Sequence, residues 1–231
     1  LTDVTGVQTC ALPISGKILA LTFTNKAARE MKERITRIVN PEIARFLWMG
    51  TFHSIFSKIL RMEAGKLGYK SNFTIYDSSD SKSLIRSLIR ELNLDDNVYK
   101  PGVISSRISA AKNNLITANM YSSDGTLQEY DKASRMPLLA DIYRMYAARC
   151  FKANSMDFDD LLLNTNILFR DFPETLASYQ ERFGYVLVDE YQDTNYSQYL
   201  IIKKLAALNR NICVVGDDAQ KIGRASCRER V

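Results

Sequence analysis

The sequence predicts an α/β fold, a parallel sheet interrupted by an all-helical insertion. Three observations predict it. Short apolar runs alternate with amphipathic helices toward both ends of the chain, the rhythm of parallel βαβ units. Between residues 74 and 154 the texture changes to periodic helical segments separated by polar linkers. Across 231 residues the chain is 46% hydrophobic and 25% charged, which suffices for a buried core in an ordinary globular protein.

The elements follow in order. Residues 18–24 (ILALTFT) form a short apolar strand, and residues 25–39 follow as a helix in which Ala27, Ala28, Met31, Ile35 and Ile38 recur on one face. Residues 48–52 lead into a second helix at 54–62, after which residues 71–80 turn polar. The segments IRSLIREL, ISAAKNNLI and LLADIYRMYAARCF carry the helical period of the insertion. Residues 158–169 read as another amphipathic helix, 185–188 as a buried strand ending in acids, 196–208 as a helix, and 212–215 as a last strand ending at Gly216. Ligands of such sheets bind beyond the carboxyl ends of the strands, so the residues just after each run are the ones to inspect.

The termini read differently. Residues 4–15 (VTGVQTCALPIS) and 222–231 (IGRASCRERV) back-translate to a pair of common sequencing adapters, oriented as if flanking one insert, and neither shows a helix or strand period. Two disordered natural tails are the alternative. The expected organisation is an adapter-like artefact at 1–15, a first lobe segment at 16–73, the helical insertion at 74–154, a second lobe segment at 155–221, and a second artefact at 222–231. Ser15-Gly16-Lys17 is not a phosphate loop, because Ile18 takes the place of the required Ser or Thr and the lysine precedes a strand instead of following one.

Composition narrows the chemistry. A net charge of +5, from 31 basic and 26 acidic residues, leans toward polyanionic partners, although both signs are interspersed. The cysteines (Cys10, Cys150, Cys213, Cys227) are scattered and His53 is the single histidine, which argues against a disulfide framework or a zinc site. A metal would be held by oxygen. With no apolar run near the roughly 20 residues that span a bilayer and no signal-peptide order, the expectation is a cytoplasmic protein that does not enter a membrane.

The strongest local signal is YVLVDEYQDTN at 185–195, where Asp189 and Glu190 emerge at the carboxyl end of a strand. An acid there can bind Mg²⁺ while its neighbour orients or deprotonates an attacking water. The same letters also suit an acidic helix start.

YVLVDEYQDTN resembles motif II of the UvrD/Rep-like superfamily 1 DNA helicases. The resemblance extends in the family's order: ILALTFTNKAAREMKERI is similar to motif Ia, GTFHSIFSKILR to motif Ib, DFDDLL to the next block, and NICVVGDDAQ to motif III. It implies an incomplete RecA-like lobe of the P-loop NTPase type with an all-helical inserted subdomain, and ATP and Mg²⁺ as cofactors. It implies Asp189 as Mg²⁺ ligand, Glu190 as catalytic base, Gln220 as catalytic and nucleotide-sensing glutamine, and Gln192 in the nucleotide-binding set. Asp217 shares motif III with Gln220.

For DNA, the resemblance implies a single-strand track over Phe23, Thr24, Asn25, Thr51 and His53. That agrees with the need for aromatic faces and small polar donors. Taken alone, Phe23 also reads as a core aromatic and His53 as a histidine bonded under a helix start. Lys26 and Arg29 are phosphate contacts or solvated surface. Asp157, Asp159 and Asp160 form an acidic cluster for which no second metal site is expected.

The function implied is a fragment of an ATP-dependent 3′–5′ DNA helicase that couples ATP hydrolysis to movement on single strands, in a DNA repair or replication setting. A single-stranded DNA-binding module lacking the phosphate loop and the motor of a helicase-nuclease are the alternatives. The partners implied are single-stranded DNA, DNA junctions and a second RecA-like lobe of the same parent chain. The family's phosphate loop and second lobe are not among these residues, so no ATPase is expected of the chain alone. A sheet edge left uncovered by the missing loop strand is expected to promote aggregation.

Overall fold

The computed structural model describes residues 16–39 and 41–216. The described residues divide into two compact units, one of residues 16–55, 177–194 and 202–216, the other of 56–176 and 195–201. These units are drawn by contacts, and their borders differ from the texture changes in the sequence.

The first unit is built on a four-stranded parallel sheet in the order β2-β1-β5-β6. Its strands are β1 (Ile18–Thr22), β2 (Trp48–Thr51), β5 (Tyr185–Val188) and β6 (Ile212–Val214). Leu19, Ala20 and Leu21 of β1 are buried, as expected of a central parallel strand covered on both faces. β1 ends at Thr22, two residues before the expected limit, because Thr24 turns out of the strand to cap the helix that follows. That helix, α1 (Asn25–Val39), has the expected bounds, yet Ile38 on its expected inner face is 82% exposed. A 15-residue helix runs roughly 21 Å and a five-residue strand roughly 13 Å, so the last helical turn overshoots the sheet.

Trp48 packs edge-on against Phe183 at 5.3 Å, Phe183 stacks on Tyr179, and the Arg182 guanidinium lies 4.6 Å over the Trp48 ring. Elsewhere the sheet is open. Along β5, Val186 and Val188 are buried while Tyr185 and Leu187 are exposed, and at the edge strand Ile212, Val214 and Val215 are 45%, 46% and 58% exposed. Leu21, Met31, Ile35, Leu187 and Val215 line an apolar cleft of about 360 Å³ beside α1.

The second unit is mostly helical. A short parallel ladder pairs β3 (Thr74–Tyr76) with β4 (Ser155–Asp157), in the register Thr74↔Ser155, Ile75↔Met156 and Tyr76↔Asp157. Between these strands run α4 (Ser78–Glu91), α5 (Pro101–Asn113), α6 (Ala118–Ser123), α7 (Gly125–Ala133) and α8 (Leu139–Lys152). They enclose a core that includes Ile85, Leu88, Ile104, Tyr121, Leu139 and Tyr143. After β4 comes α9 (Phe158–Asp171), its apolar face of Leu161, Leu162, Leu168 and Phe169 buried.

Asp77 caps α4 and Asp157 caps α9, each in a reciprocal box with the acid three residues on, Asp80 and Asp160. The acidic cluster of DFDDLL is therefore spent on structure. Lys112, 1% exposed, donates to Asp157 Oδ2 at 2.6 Å and lies 2.7 Å from Asp160 Oδ1, with the Tyr146 hydroxyl donating to Asp157 Oδ2 at 2.8 Å. Burial pushes the Asp160 carboxyl up to about 6 against the pull of Lys112. Burial works against the Asp157 charge too, but the Lys112 ammonium and its hydrogen bonds overcome it and hold that carboxyl below its ordinary value. The helix α3 (Phe52–Glu63) starts two residues before its expected first residue, and the border between the units falls inside it. Among the described residues no helix is long and apolar enough to cross a membrane.

Candidate functional site

All of the expected site residues that lie among the described ones belong to the first unit. They sit where the parallel strands end: Phe23, Thr24 and Asn25 after β1, Thr51 and His53 at and after β2, and Asp189, Glu190 and Gln192 after β5. Gly216 follows β6. Gln220 and Asp217 lie outside the described residues. This gathering follows from topology, since parallel strands place every carboxyl end on the same edge.

The acidic turn is tightly made. The Asp189 amide donates to Leu21 O at 2.9 Å, and Asp189 Oδ1 accepts from the Glu190 amide at 3.1 Å. Asp189 Oδ2 accepts no hydrogen bond among the described residues. Glu190 adopts the left-handed conformation, φ 52° and ψ 42°, at a cost of about 1 kcal/mol or more for a residue with a Cβ. Surrounding bonds impose it: the Tyr191 amide donates to Val215 O at 2.9 Å and the Asp193 amide to Glu190 O at 3.0 Å. The Gln192 side-chain amide donates to Glu190 Oε2.

Asp189 fits a magnesium ion by its chemistry. It is half-buried at a strand end, and among the described residues one of its carboxylate oxygens accepts no hydrogen bond. Among the described residues no group of three or more His, Cys, Asp or Glu side chains could cage a metal. Mg²⁺ needs no cage, because it is commonly held by one or two carboxylates together with phosphate oxygens and water.

Two helix starts lie beside the strand ends. Thr24 Oγ1 accepts from the Ala27 amide at 3.1 Å, capping α1, and Thr51 Oγ1 accepts from the Ser54 amide at 3.2 Å, capping the first turn of α3. Thr22 and Thr51 are partners in the β1–β2 register, so these starts are neighbours. Neither helix has an acid in its first turn. The partial positive charge of both ends is left to attract an anion, with Lys26 and Arg29 exposed on α1.

The ring of Phe23 is half-buried and tilts against Phe52 at 5.2 Å, leaving part of it to solvent. Asn25 is exposed and His53 half-buried, whereas Thr51 is only 7% exposed and serves mainly to cap. In the second unit, sequence reasoning passed over Phe158, which is 49% exposed at the first position of α9 and borders a cleft of about 280 Å³. The signal was available: Phe158 shares a helical face with buried Leu161 and Leu162, yet it stands at the helix start, where the core does not reach.

The family described as UvrD/REP helicase N-terminal domain matches residues 8–224. The chain is similar to a protein named ATP-dependent DNA helicase PcrA in Leuconostoc citreum, 44% identical over 208 residues, 89% of this chain and 27% of that protein. The Bacillus subtilis (strain 168) protein of the same name is 44% identical over 207 residues, covering 90% and 27%. The Staphylococcus aureus (strain Mu50 / ATCC 700699) one is 43% identical over 205 residues, covering 89% and 27%. The chain thus spans about a quarter of the length of these relatives. With a family match over nearly all of its residues and relatives 43–44% identical across about nine-tenths of it, the chain belongs to the UvrD/REP helicase N-terminal domain family.

Proposed function

We propose that this chain is the N-terminal motor segment of an ATP-dependent DNA helicase that moves 3′ to 5′ on single-stranded DNA. The observation that carries the proposal is the single edge on which β1, β2 and β5 end, with a carboxylate pair after β5 and two acid-free helix starts after β1 and β2. In this reading 16–73 and 155–221 form the RecA-like lobe and 74–154 its helical insertion. A second lobe of the same parent chain completes the nucleotide site, and the parent acts in the cytoplasm on single strands and DNA junctions.

Asp189 holds Mg²⁺ through its carboxylate, and Gln192 and Gln220 belong to the nucleotide end of the site. When bound, the ion neutralises charge on the transferring phosphoryl group. Glu190 takes the proton of the attacking water on the carboxylate oxygen that Gln192 leaves uncovered. Phe23 offers a ring face to a base, Asn25 and His53 offer polar contacts, and the α1 and α3 starts capped by Thr24 and Thr51 attract the backbone phosphates.

The test has two arms. In the full-length protein that contains this segment, single-stranded DNA should stimulate ATP hydrolysis, and Glu190→Gln should abolish turnover while ATP still binds. In the chain itself, fluorescence anisotropy with an oligothymidylate should show binding that weakens with salt and with Phe23→Ala plus His53→Ala, worth about 1–3 kcal/mol per lost stack. Undiminished turnover in Glu190→Gln, or salt-independent binding, would refute the proposal.

A further inference from the structure

Gln192 makes a contact that its expected place in the nucleotide-binding set does not explain. Its side-chain nitrogen donates to Glu190 Oε2. A carboxylate only accepts, so the amide is oriented with nitrogen toward Glu190 and oxygen away. The oxygen faces Gly216: a Cβ built on that glycine would lie 2.7 Å from Gln192 Oε1 and 3.5 Å from the Gln192 backbone nitrogen. The Tyr191 amide meanwhile ties the turn to Val215 O at 2.9 Å. Glu190, Gln192 and the end of β6 are therefore in one packed sequence of contacts, and Glu190 is further fixed by its left-handed backbone.

We infer that Gln192 is a positioning residue: it sets the direction of the Glu190 carboxylate and is itself set by the close approach of Gly216 at the end of β6. The inference rests on reading Glu190 as the base. A shift of the β6 end opens or closes the space beside Gln192 Oε1, the amide follows, and the carboxylate follows the amide. A Cβ at 216 would press on the movable tip of Gln192. An alanine there pushes the tip aside and leaves Glu190 chemically intact.

The first experiment uses the chain itself and reads the Gln192 side-chain NH₂ resonances by ¹⁵N–¹H NMR. The expected pair is shifted away from free-amide positions and slow to exchange, and it collapses toward them in Glu190→Ala and in Gly216→Ala. Free-amide signals in the unsubstituted chain, or a pair indifferent to Gly216→Ala, would overturn the inference. The second uses the full-length protein. Gln192→Met, which keeps the volume and loses the donor, and Gly216→Ala should each lower kcat roughly 10- to 100-fold with KM for ATP unchanged, as expected for a misplaced catalytic group. The double variant should be no worse than the weaker single one. A raised KM with kcat retained would assign Gln192 to nucleotide binding instead, and multiplicative losses would make the two residues independent. Absence of any DNA-stimulated turnover in the unsubstituted full-length protein would sink the helicase proposal, while the NMR result still decides the contact.

Discussion

Lys112→Met removes the one cation from a buried set of two carboxylates. The Lys112 side chain is 1% exposed, and those of Asp157 and Asp160 are 12% and 14% exposed, so water does little to screen them. A pair of charges about 4 Å apart is worth about 4 kcal/mol at an effective dielectric constant near 20. Part of that loss is recovered when a carboxylate protonates, and breaking a buried pair on one side typically costs about 3–5 kcal/mol. That is the loss expected at pH 7.5, measured by urea denaturation followed by far-UV circular dichroism.

The pH dependence sharpens the test. Asp160, raised to about 6, contributes stability that is fully present below its unfolded value near 3.9 and is lost as pH rises through about 6. Asp157, held below its ordinary value, contributes stability present above the unfolded value and lost as pH falls through its folded one. Without Lys112 the pair must keep a proton even at pH 7.5, whereas the native pair takes one up only near pH 6. The deficit of the variant should therefore shrink by about 1.4 kcal/mol per pH unit on going from 7.5 to 6, about 2 kcal/mol in all, and then level off. Adding Asp160→Asn, which still accepts from the Asp157 amide, should restore much of the loss at neutral pH. A deficit below about 1 kcal/mol, or one independent of pH, would refute the reasoning.

Two further outcomes follow from the backbone and the sheet. Arg135 is exposed and left-handed, φ 59°, at a helix end where the Met136 amide donates to Asp131 O at 2.8 Å. Arg135→Gly should raise stability by up to about 1 kcal/mol, or roughly 2–4 °C in Tm by calorimetry, and a lowered Tm would contradict the strain argument. Val214→Lys places a charge on the exposed β6 edge, and light scattering should show less self-association, while an unchanged apparent mass would mean that another surface drives it.

The parts of the fold most legible in the sequence were those with a clear apolar run or helical period, although 185–188, expected as a buried strand, leaves Tyr185 and Leu187 exposed. Residues 185–188 were read to the residue, and α1 was bounded correctly, because parallel strands and amphipathic helices write their environment into local pattern. The ladder of β3 and β4 was missed, since TIY and SMD are three residues each and SMD carries no strand signal. The helix α10 (Pro173–Arg182) was missed as well, although its proline at the first position is a usual helix opening.

Phe23, Thr24, Asn25, Thr51, His53, Asp189 and Glu190 were named through the resemblance of their segments, and all of them lie at or just beyond the carboxyl ends of β1, β2 and β5. The Gln192–Glu190 bond was not legible, because it depends on a left-handed glutamate that no local rule announces. Nor was the Lys112–Asp157 pair, which joins residues 45 positions apart.

The β3–β4 ladder has a consequence for modularity. Its paired strands lie about 4.8 Å apart, and the five helices between them enclose their own core. The chain between Tyr76 and Ser155 therefore starts and ends one strand spacing apart, and what it gives the flanking residues includes the Lys112 ammonium that pairs with Asp157 and Asp160. That is the geometry of a cassette: a transplanted module would need two short strands at a matching spacing and a cation for Asp157 and Asp160.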